Sequence, residues 1–323
     1  MTIKPSISRR QLLASSALAA GTTLVVGDSA DAAVLADVFR GPPGSSGVTL
    51  RWLGNNAWEI SFGATTILID PWVTRFPTGT YGPTGTRPDT PLVIDEATVD
   101  RYITRADLVL VGHGHFDHLG DLPYVAARTG AGVLGTESHA NMLRALGVPA
   151  EQLTVVRGGE NLQYDGYTIE VFPSLHSLTG IATTTRKQVP FPGTRPGIVP
   201  PRPTTVADLV EGGTLAYQIT IGDRFRILAL STANFVEREL AGLRPDLVIM
   251  PVGGRSLNDY VGRLMRTLNR PKWVLPTHWD DFDLPLDQPA RDFGALLPLR
   301  DAVAAAGPRT TFVTLEHTQT FTP

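Results

Sequence analysis

Short apolar runs, separated by glycine, proline and polar turns, dominate the first part of the chain. Residues 48–53, 58–62 and 65–69 are rich in β-branched and aromatic side chains, which predicts three strands. Residues 54–56 and 62–64 have the composition of tight turns. The pattern therefore predicts that residues 48–69 form an antiparallel meander.

Beyond this meander, strand and helix patterns alternate. Strands are predicted at 108–111, 132–134, 153–156, 167–171, 215–221, 226–230, 247–250, 273–275 and 310–315, and helices at 99–102, 122–128, 138–146, 236–243, 257–268 and 295–305. Two runs of strands, each with its own helices, predict an α/β protein in which two sheets pack together with helices outside.

Two long segments show no periodicity. Residues 71–90 form a Gly/Pro/Thr loop, and the segment 180–213, called the Pro-rich segment below, cannot be regular over most of its length because proline lacks a backbone donor. Its length indicates either an active-site lid or a disordered insertion. Phe76, Tyr81 and the Pro-rich segment are predicted pocket walls, with passive surface loops as the alternative.

The N-terminus has the pattern of an export signal. Residues 8–13 contain paired arginines, 12–26 form an alanine-rich apolar run, and 30–32 read Ala-Asp-Ala. We therefore expect a twin-arginine signal peptide over 1–32, which the twin-arginine machinery recognises for export to the periplasm or the outside. The apolar run is shorter than the roughly 20 residues that span a bilayer, so no integral membrane segment is expected in the mature form.

The rest of the chain is predicted to be a flexible linker over 33–47 and one domain over 48–323, into which the Pro-rich segment is inserted. The 323 residues include no cysteine, so any metal must be bound by His, Asp or Glu. A formal net charge of -3 disfavours nucleic acid as a partner. The oligomeric state is not predictable from the sequence.

Three histidines and an aspartate lie together directly after the predicted strand 108–111. His113 and His115 are two residues apart, so in an extended stretch both point the same way and can bind one ion. Asp117 and His118 follow where the chain turns, and they can face a second ion. The other two candidate ligands are isolated: His176 and His278 each follow a predicted strand.

Residues 113–118 match H-x-H-x-D-H and resemble the metallo-β-lactamase superfamily, as do the stretches 52–58 and 67–72. The resemblance implies a four-layer αββα sandwich of two mixed sheets. It also implies that His176 completes the first metal site with His113 and His115, that His278 completes the second with Asp117 and His118, and that Asp70 lies beside the metals.

One position departs from the superfamily pattern. An aspartate that normally bridges the two metals is absent, and Ser231 or Thr232 takes its place in the stretch 228–234. A hydroxyl is a weak bridge, so we expect a weaker second site, a single ion, or water as the sole bridge. The amide oxygen of Asn234 is a further candidate that the sequence leaves open.

These residues predict an exported metal-dependent hydrolase. An ion bound by three neutral histidines keeps a position open for water and lowers its pKa, so that a metal-bound hydroxide attacks a carbonyl or phosphoryl centre. Asp117 would orient or deprotonate that water. One or two Zn²⁺ ions are expected, with Mn²⁺ or Fe²⁺ as alternatives.

Within the superfamily, the chain is similar to the branch of ascorbate-6-phosphate lactonase and N-acylphosphatidylethanolamine phospholipase D. This implies a small lactone, ester, amide or phosphodiester as substrate. The alternative is a non-catalytic or weakly active metal-binding module, because the bridging aspartate is missing. An iron-dependent redox role would need that bridge and a flavin domain. His139 and His317 are expected to be structural or surface residues.

Overall fold

The computed structural model describes residues 47–180, 187–223, 225–252 and 257–323. The predicted signal peptide, nearly all of the predicted linker, and part of the Pro-rich segment lie outside the described residues. In chain order, the elements are β1 (Val48–Trp52), β2 (Trp58–Phe62), β3 (Thr65–Ile69), α1 (Glu96–Tyr102), β4 (Leu108–Leu110), α2 (Phe116–Leu119), α3 (Leu122–Thr129), β5 (Gly132–Gly135), α4 (Glu137–Ala145), β6 (Leu153–Val155), β7 (Asn161–Tyr164), β8 (Tyr167–Ser174), β9 (Thr179–Gly180), β10 (Lys187–Gln188), β11 (Thr214–Ile221), β12 (Phe225–Leu230), α5 (Glu237–Leu240), β13 (Leu247–Pro251), α6 (Tyr260–Thr267), β14 (Trp273–Thr277), α7 (Leu296–Ala306), β15 (Thr311–Phe312) and β16 (Thr320–Phe321).

Two mixed sheets contain all of these strands except the β9–β10 pair. The first sheet has the order β16-β1-β2-β3-β4-β5-β6, and the second has the order β15-β14-β13-β12-β11-β8-β7. In the first sheet, the meander of β1 to β3 is antiparallel and β3 to β6 run parallel. In the second sheet, β7, β8, β11 and β12 are antiparallel, and β12 to β15 are parallel.

Alternate side chains of β3, β4 and β5 in the first sheet enter two different cores, because successive residues of a strand point to opposite faces. Ile67 and Ile69 of β3 pack against the second sheet, whereas Leu68 faces the outer helices. The helices α1, α3 and α4 cover this outer face, and α6 and α7 cover the outer face of the second sheet. The four-layer αββα sandwich predicted from the sequence is confirmed.

Three predicted elements are shorter in the structure, and two strands of the main sheets were not predicted. The predicted helices 236–243 and 257–268 are shorter, as α5 and α6, and the predicted strand 310–315 pairs only over β15. Strand β7 was not predicted, because it is only four residues long and three of its side chains are exposed. Strand β16 was not predicted because it is only two residues long.

The described part of the Pro-rich segment is mostly irregular but well bonded to its surroundings. The amide of Leu92 donates to Thr204 O and that of Val206 to Thr90 O, both at 2.9 Å. Asn141 Nδ2 on α4 donates to Arg195 O at 2.6 Å. Its role as a lid stays a prediction. None of the helices in the ranges that the structure describes is long and apolar enough to cross a membrane.

Candidate metal centre

The predicted ligands meet at one edge of the sandwich, where strands from both sheets end. His113, His115, Asp117 and His118 follow β4 of the first sheet. The other two ligands follow strands of the second sheet: His176 comes after β8 and His278 after β14. Side chains that are distant in sequence are thereby brought together by the packing of the two sheets.

The first group consists of His113, His115 and His176. His113 Nε2 lies 3.0 Å from His115 Nδ1 and 3.2 Å from His176 Nε2. Nitrogens that share one tetrahedral ion at about 2.0 Å are separated by about 3.3 Å, so these spacings suit a single ion. All three side chains are buried, which keeps competing water away from them.

The second group consists of Asp117, His118 and His278. Asp117 Oδ2 lies 3.4 Å from His118 Nε2 and 3.2 Å from His278 Nε2. Asn55 supports the carboxylate: its Nδ2 donates to Asp117 O at 2.7 Å and to Asp117 Oδ2 at 3.3 Å. The backbone of His278 has a positive φ of +58°. Such strain in a residue other than glycine is typical of functional positions.

Asp70 lies behind the two groups and accepts four hydrogen bonds. Its Oδ1 accepts from Gly112 N at 2.6 Å, and its Oδ2 accepts from Asn56 Nδ2, His118 Nδ1 and Ser231 Oγ at 2.8, 2.8 and 2.9 Å. The His118 contact leaves the Nε2 of that ring directed at the second group. Hydrogen bonds of this kind fix the tautomer and orientation of metal-binding histidines.

Burial and mutual proximity hold the first group in the neutral form that binds metals. Burial, and after it the neighbouring His176, lowers the pKa of His115 to about 3. Burial likewise lowers the pKa of His176 to about 4. The pKa of His113 lies well below its ordinary value, through burial and then through His118 and His176. These rings need not lose a proton at neutral pH to bind a cation.

In the second group, the pKa of the buried histidine is raised instead of lowered. Burial alone would lower the pKa of His118, but the carboxylates of Asp117 and Asp70 outweigh it and raise that pKa to about 10. Burial would raise the pKa of Asp117, yet His118 and His278 hold it well below its usual range. Two carboxylates therefore concentrate negative charge around His118, in a place that favours a cation.

The residues present fit a divalent metal. His118 Nε2 is fully buried and has no hydrogen-bond partner, although it points into the second group. Burying a polar atom without a partner is unfavourable, and a metal ion would satisfy it. The donors are nitrogens and carboxylate oxygens, a set that suits zinc, manganese or iron.

Ser231, Thr232 and Asn234 do not form a bridge between the groups. Of the two hydroxyls, only that of Ser231 faces the cluster, and it contacts the far side of His113, 2.7 Å from Nδ1. Thr232 Oγ1 accepts from Ser177 N at 3.0 Å. The Asn234 amide oxygen accepts from Phe235 N, and its Nδ2 donates to His176 O at 3.0 Å. The amide oxygen of Asn234 is thus directed at the Phe235 backbone and at neither group.

Several supporting residues were missed from the sequence. Asn55 and Asn56 looked like turn residues, but their amides hold Asp117 and Asp70. Behind Asn55, Asp280 Oδ1 accepts from the backbone N of Asn55 at 2.9 Å, and Asp280 Oδ2 pairs with buried Arg75 at 2.7 Å. The only hint in the sequence was that Asp280 lies near His278 along the chain and that Arg75 lies near the Asp-Pro stretch.

The two remaining histidines lie outside both groups. His139 is buried, caps α4 through its Nδ1 and contacts Glu211 O through Nε2 at 3.2 Å. His317 Nε2 lies 2.8 Å from Asp280 Oδ2.

Comparisons with known proteins agree with this geometry. Residues 49–278 match the family model described as the beta-lactamase superfamily domain. A UPF0173 metal-dependent hydrolase of Cupriavidus taiwanensis is 29% identical over 251 residues, which cover 75% of this chain and 78% of that protein. A second UPF0173 metal-dependent hydrolase, from Methanopyrus kandleri, is 25% identical over 248 residues and covers 76% of this chain and 89% of its own length.

Among solved structures, a metallo hydrolase from Ignicoccus hospitalis has a TM-score of 0.53 at 20% identity, over 85% of this chain and 97% of that one. These relatives are named as metal-dependent or metallo hydrolases, which is the enzyme class that the sequence predicted. Since the family match covers most of the sandwich and contains all six clustered residues, the chain belongs to the β-lactamase superfamily.

Proposed function

We propose that this protein is a metal-dependent hydrolase whose ions are bound by the first and second groups. The observation that carries the proposal is the convergence of six His and Asp side chains into two adjacent groups at one sheet edge. The curated relatives named metal-dependent hydrolases support it. Zinc is the expected ion, with manganese or iron as alternatives.

A bound divalent metal would supply a nucleophile from water near neutral pH and would stabilise the developing oxyanion. The chain's own contribution is to hold the donors still and to position a proton acceptor. Asp117 is the candidate acceptor, because it is the only carboxylate in either group and Asn55 holds its orientation. The protein also excludes water from five of the six donors by burying them.

Substrate would approach from the side of His278. Its side chain is 27% exposed, whereas the side chains of Asp117 and His118 are 9% and 0% exposed. The buried ring of Phe282 packs against the His278 ring with centroids 5.7 Å apart and supports it from the protein side. We propose a small lactone, ester, amide or phosphodiester as the substrate, and export by the twin-arginine pathway as the route to it.

Metal analysis combined with turnover tests this proposal. Purified protein should contain at least one zinc, manganese or iron per chain after reconstitution and should hydrolyse at least one probe from an ester, lactone and phosphodiester panel. The variant His115→Ala should lose both properties. His139→Gln, which alters a buried histidine outside both groups, should keep them. Absence of metal from reconstituted protein would overturn the proposal.

A non-catalytic metal-binding module is the second candidate, favoured by the absence of a carboxylate at Ser231. This candidate predicts stoichiometric metal but no turnover of any probe. Turnover that disappears in His115→Ala would exclude it.

Export is tested separately. Cells that produce the full chain should release it to the periplasm or the medium, and the double variant Arg9→Lys/Arg10→Lys should retain it. If the full chain and the double variant were found in the same proportions inside and outside the cytoplasm, export by this pathway would be contradicted.

A further inference from the structure

We propose that Ser231 is a positioning residue that fixes the His113 ring and joins it to Asp70, so that one carboxylate supports both metal-binding groups. The inference rests on the proposed function, because positioning matters only if His113 binds an ion. Ser231 is buried, and its Oγ lies 2.7 Å from His113 Nδ1 and 2.9 Å from Asp70 Oδ2. The hydroxyl therefore sits between the ring and the carboxylate.

The direction of each hydrogen bond follows from the neighbours. His113 Nε2 faces His115 and His176 at 3.0 and 3.2 Å, so its lone pair is directed at the first group. A neutral imidazole with a free lone pair on Nε2 carries its proton on Nδ1. His113 Nδ1 therefore donates to Ser231 Oγ, and Ser231 donates its own proton to the carboxylate of Asp70.

Asp70 is shared between the groups. The same Oδ2 that accepts from Ser231 also accepts from His118 Nδ1 at 2.8 Å. The carboxylate thus orients His118 of the second group directly and His113 of the first group through the hydroxyl. Metal affinity at the first group should consequently depend on Asp70, although its hydrogen bonds go to Gly112, Asn56, His118 and Ser231 and not to the rings of that group.

Ser231 cannot act as a ligand from this place. Its Oγ lies beside the Nδ1 atoms of both His113 and His118, at 2.7 and 3.5 Å, whereas the Nε2 atoms point to the other side. The space is also restricted, since a Cβ on Gly112 would lie 2.1 Å from the Cβ of Ser231. The missing side chain of Gly112 therefore leaves the space that the Ser231 side chain occupies.

Zinc titration of metal-stripped protein, with a competing chelator, tests the inference. In Ser231→Ala the tightest zinc constant should weaken about 10- to 100-fold, the range seen when such supporting hydrogen bonds are removed. Thr66→Val is the matched control, because it removes a buried hydroxyl from the opposite end of the strand that leads to Asp70, and its zinc constant should match wild type. In an Asp70→Asn background, Ser231→Ala should have a much smaller effect, since both act on the same path.

The NMR spectrum of zinc-loaded wild type, labelled with ¹⁵N-histidine, gives a readout that needs no variant. The His113 ring should carry a slowly exchanging proton on Nδ1 with Nε2 deprotonated. A proton on Nε2, an unchanged zinc constant in Ser231→Ala, or equal losses in both backgrounds would each overturn the inference. If wild type itself takes up no zinc, the proposed function fails first, and that result appears before any variant is compared.

Discussion

Buried carboxylates outside the metal-binding groups show how single residues set the pH response. Asp121 accepts from Val73 N, Thr74 N and Thr74 Oγ1 at 2.6, 2.8 and 2.5 Å, and it fastens the loop after β3 to the start of α3. Burial nevertheless outweighs these hydrogen bonds and raises the pKa of Asp121 to about 6. The ionised form is therefore less favourable in the folded protein than in the unfolded chain.

The sign of this linkage gives a prediction. The folded state holds a proton on Asp121 between about pH 4 and pH 6, where the unfolded chain has lost it, so this residue's contribution to stability falls as the pH rises through that window. The change is on the order of 3 kcal/mol. In Asp121→Asn that part of the slope should vanish. Urea unfolding of metal-free protein at several pH values checks this, and identical slopes in both proteins would contradict it.

The contribution of Asp280 to stability changes with pH in the opposite direction. Burial would raise its pKa, but Arg75 and His317 outweigh burial and lower it to about 2. Its contribution to stability is present above about pH 4 and is lost as the pH falls towards 2. Asp280→Asn would leave the Arg75 charge buried and unpaired, which typically costs about 3–5 kcal/mol. Chemical unfolding at pH 7 should show this loss, and the double variant Arg75→Met/Asp280→Leu should recover part of it.

At the scale of elements, the turn between β4 and α2 depends on glycine. A Cβ on Gly114 would lie 2.4 Å from Val210 O and 2.5 Å from Met142 Cε, so the turn and the end of the Pro-rich segment approach each other with no room for a side chain. The Gly114 amide donates to Glu211 O at 2.8 Å, which holds this close approach.

Gly114→Ala should therefore be destabilising by about 1–3 kcal/mol, the usual range for overpacking, and should weaken zinc binding by displacing His113 and His115. Gly132→Ala is the control, because its Cβ would meet only Leu108 Cδ1 at 3.6 Å. Thermal unfolding and zinc titration of both variants check the prediction. Equal behaviour of the two would show that the turn tolerates a side chain.

The sequence predicted the elements whose side chains alternate or form buried runs. The bounds of strands β1, β2 and β3 were predicted closely, because each strand packs one face against the second sheet and carries apolar residues at those positions. Strand β7 and helix α2 are each only four residues long, which is too short for such a signal to be clear. The six candidate ligands were predicted from a dense motif and a resemblance, and the structure brings them together. The contacts of Asn55 and Ser231 were not predicted, because they join residues 62 and 118 positions apart in the chain.

At the scale of the whole molecule, the candidate metal centre connects the two sheets. Four ligands come from the first sheet, and His176 and His278 come from the second. Ions bound there would link the sheets at one edge, in addition to the apolar core between them. Binding to the folded state alone stabilises it by about 2.7 kcal/mol when free metal is 100 times its Kd.

Removal of metal by a chelator should consequently lower the Tm by several degrees, and zinc should restore it. In His176→Ala and His278→Ala, the shift between metal-free and zinc-loaded protein should be smaller, since each variant loses the connection from the second sheet. Differential scanning calorimetry checks this. A Tm that does not respond to chelator in wild type would contradict a link between the sheets.

The most direct test of the account is a crystal structure of the zinc-loaded protein, with anomalous difference maps recorded at the zinc edge. We predict a peak at about 2.0–2.1 Å from His113 Nε2, His115 Nδ1 and His176 Nε2, and a second, weaker peak beside Asp117, His118 and His278. Ser231 Oγ should contact neither peak. No peak at the first group, or zinc bound elsewhere in the molecule, would contradict the central claim that these six residues form a metal centre.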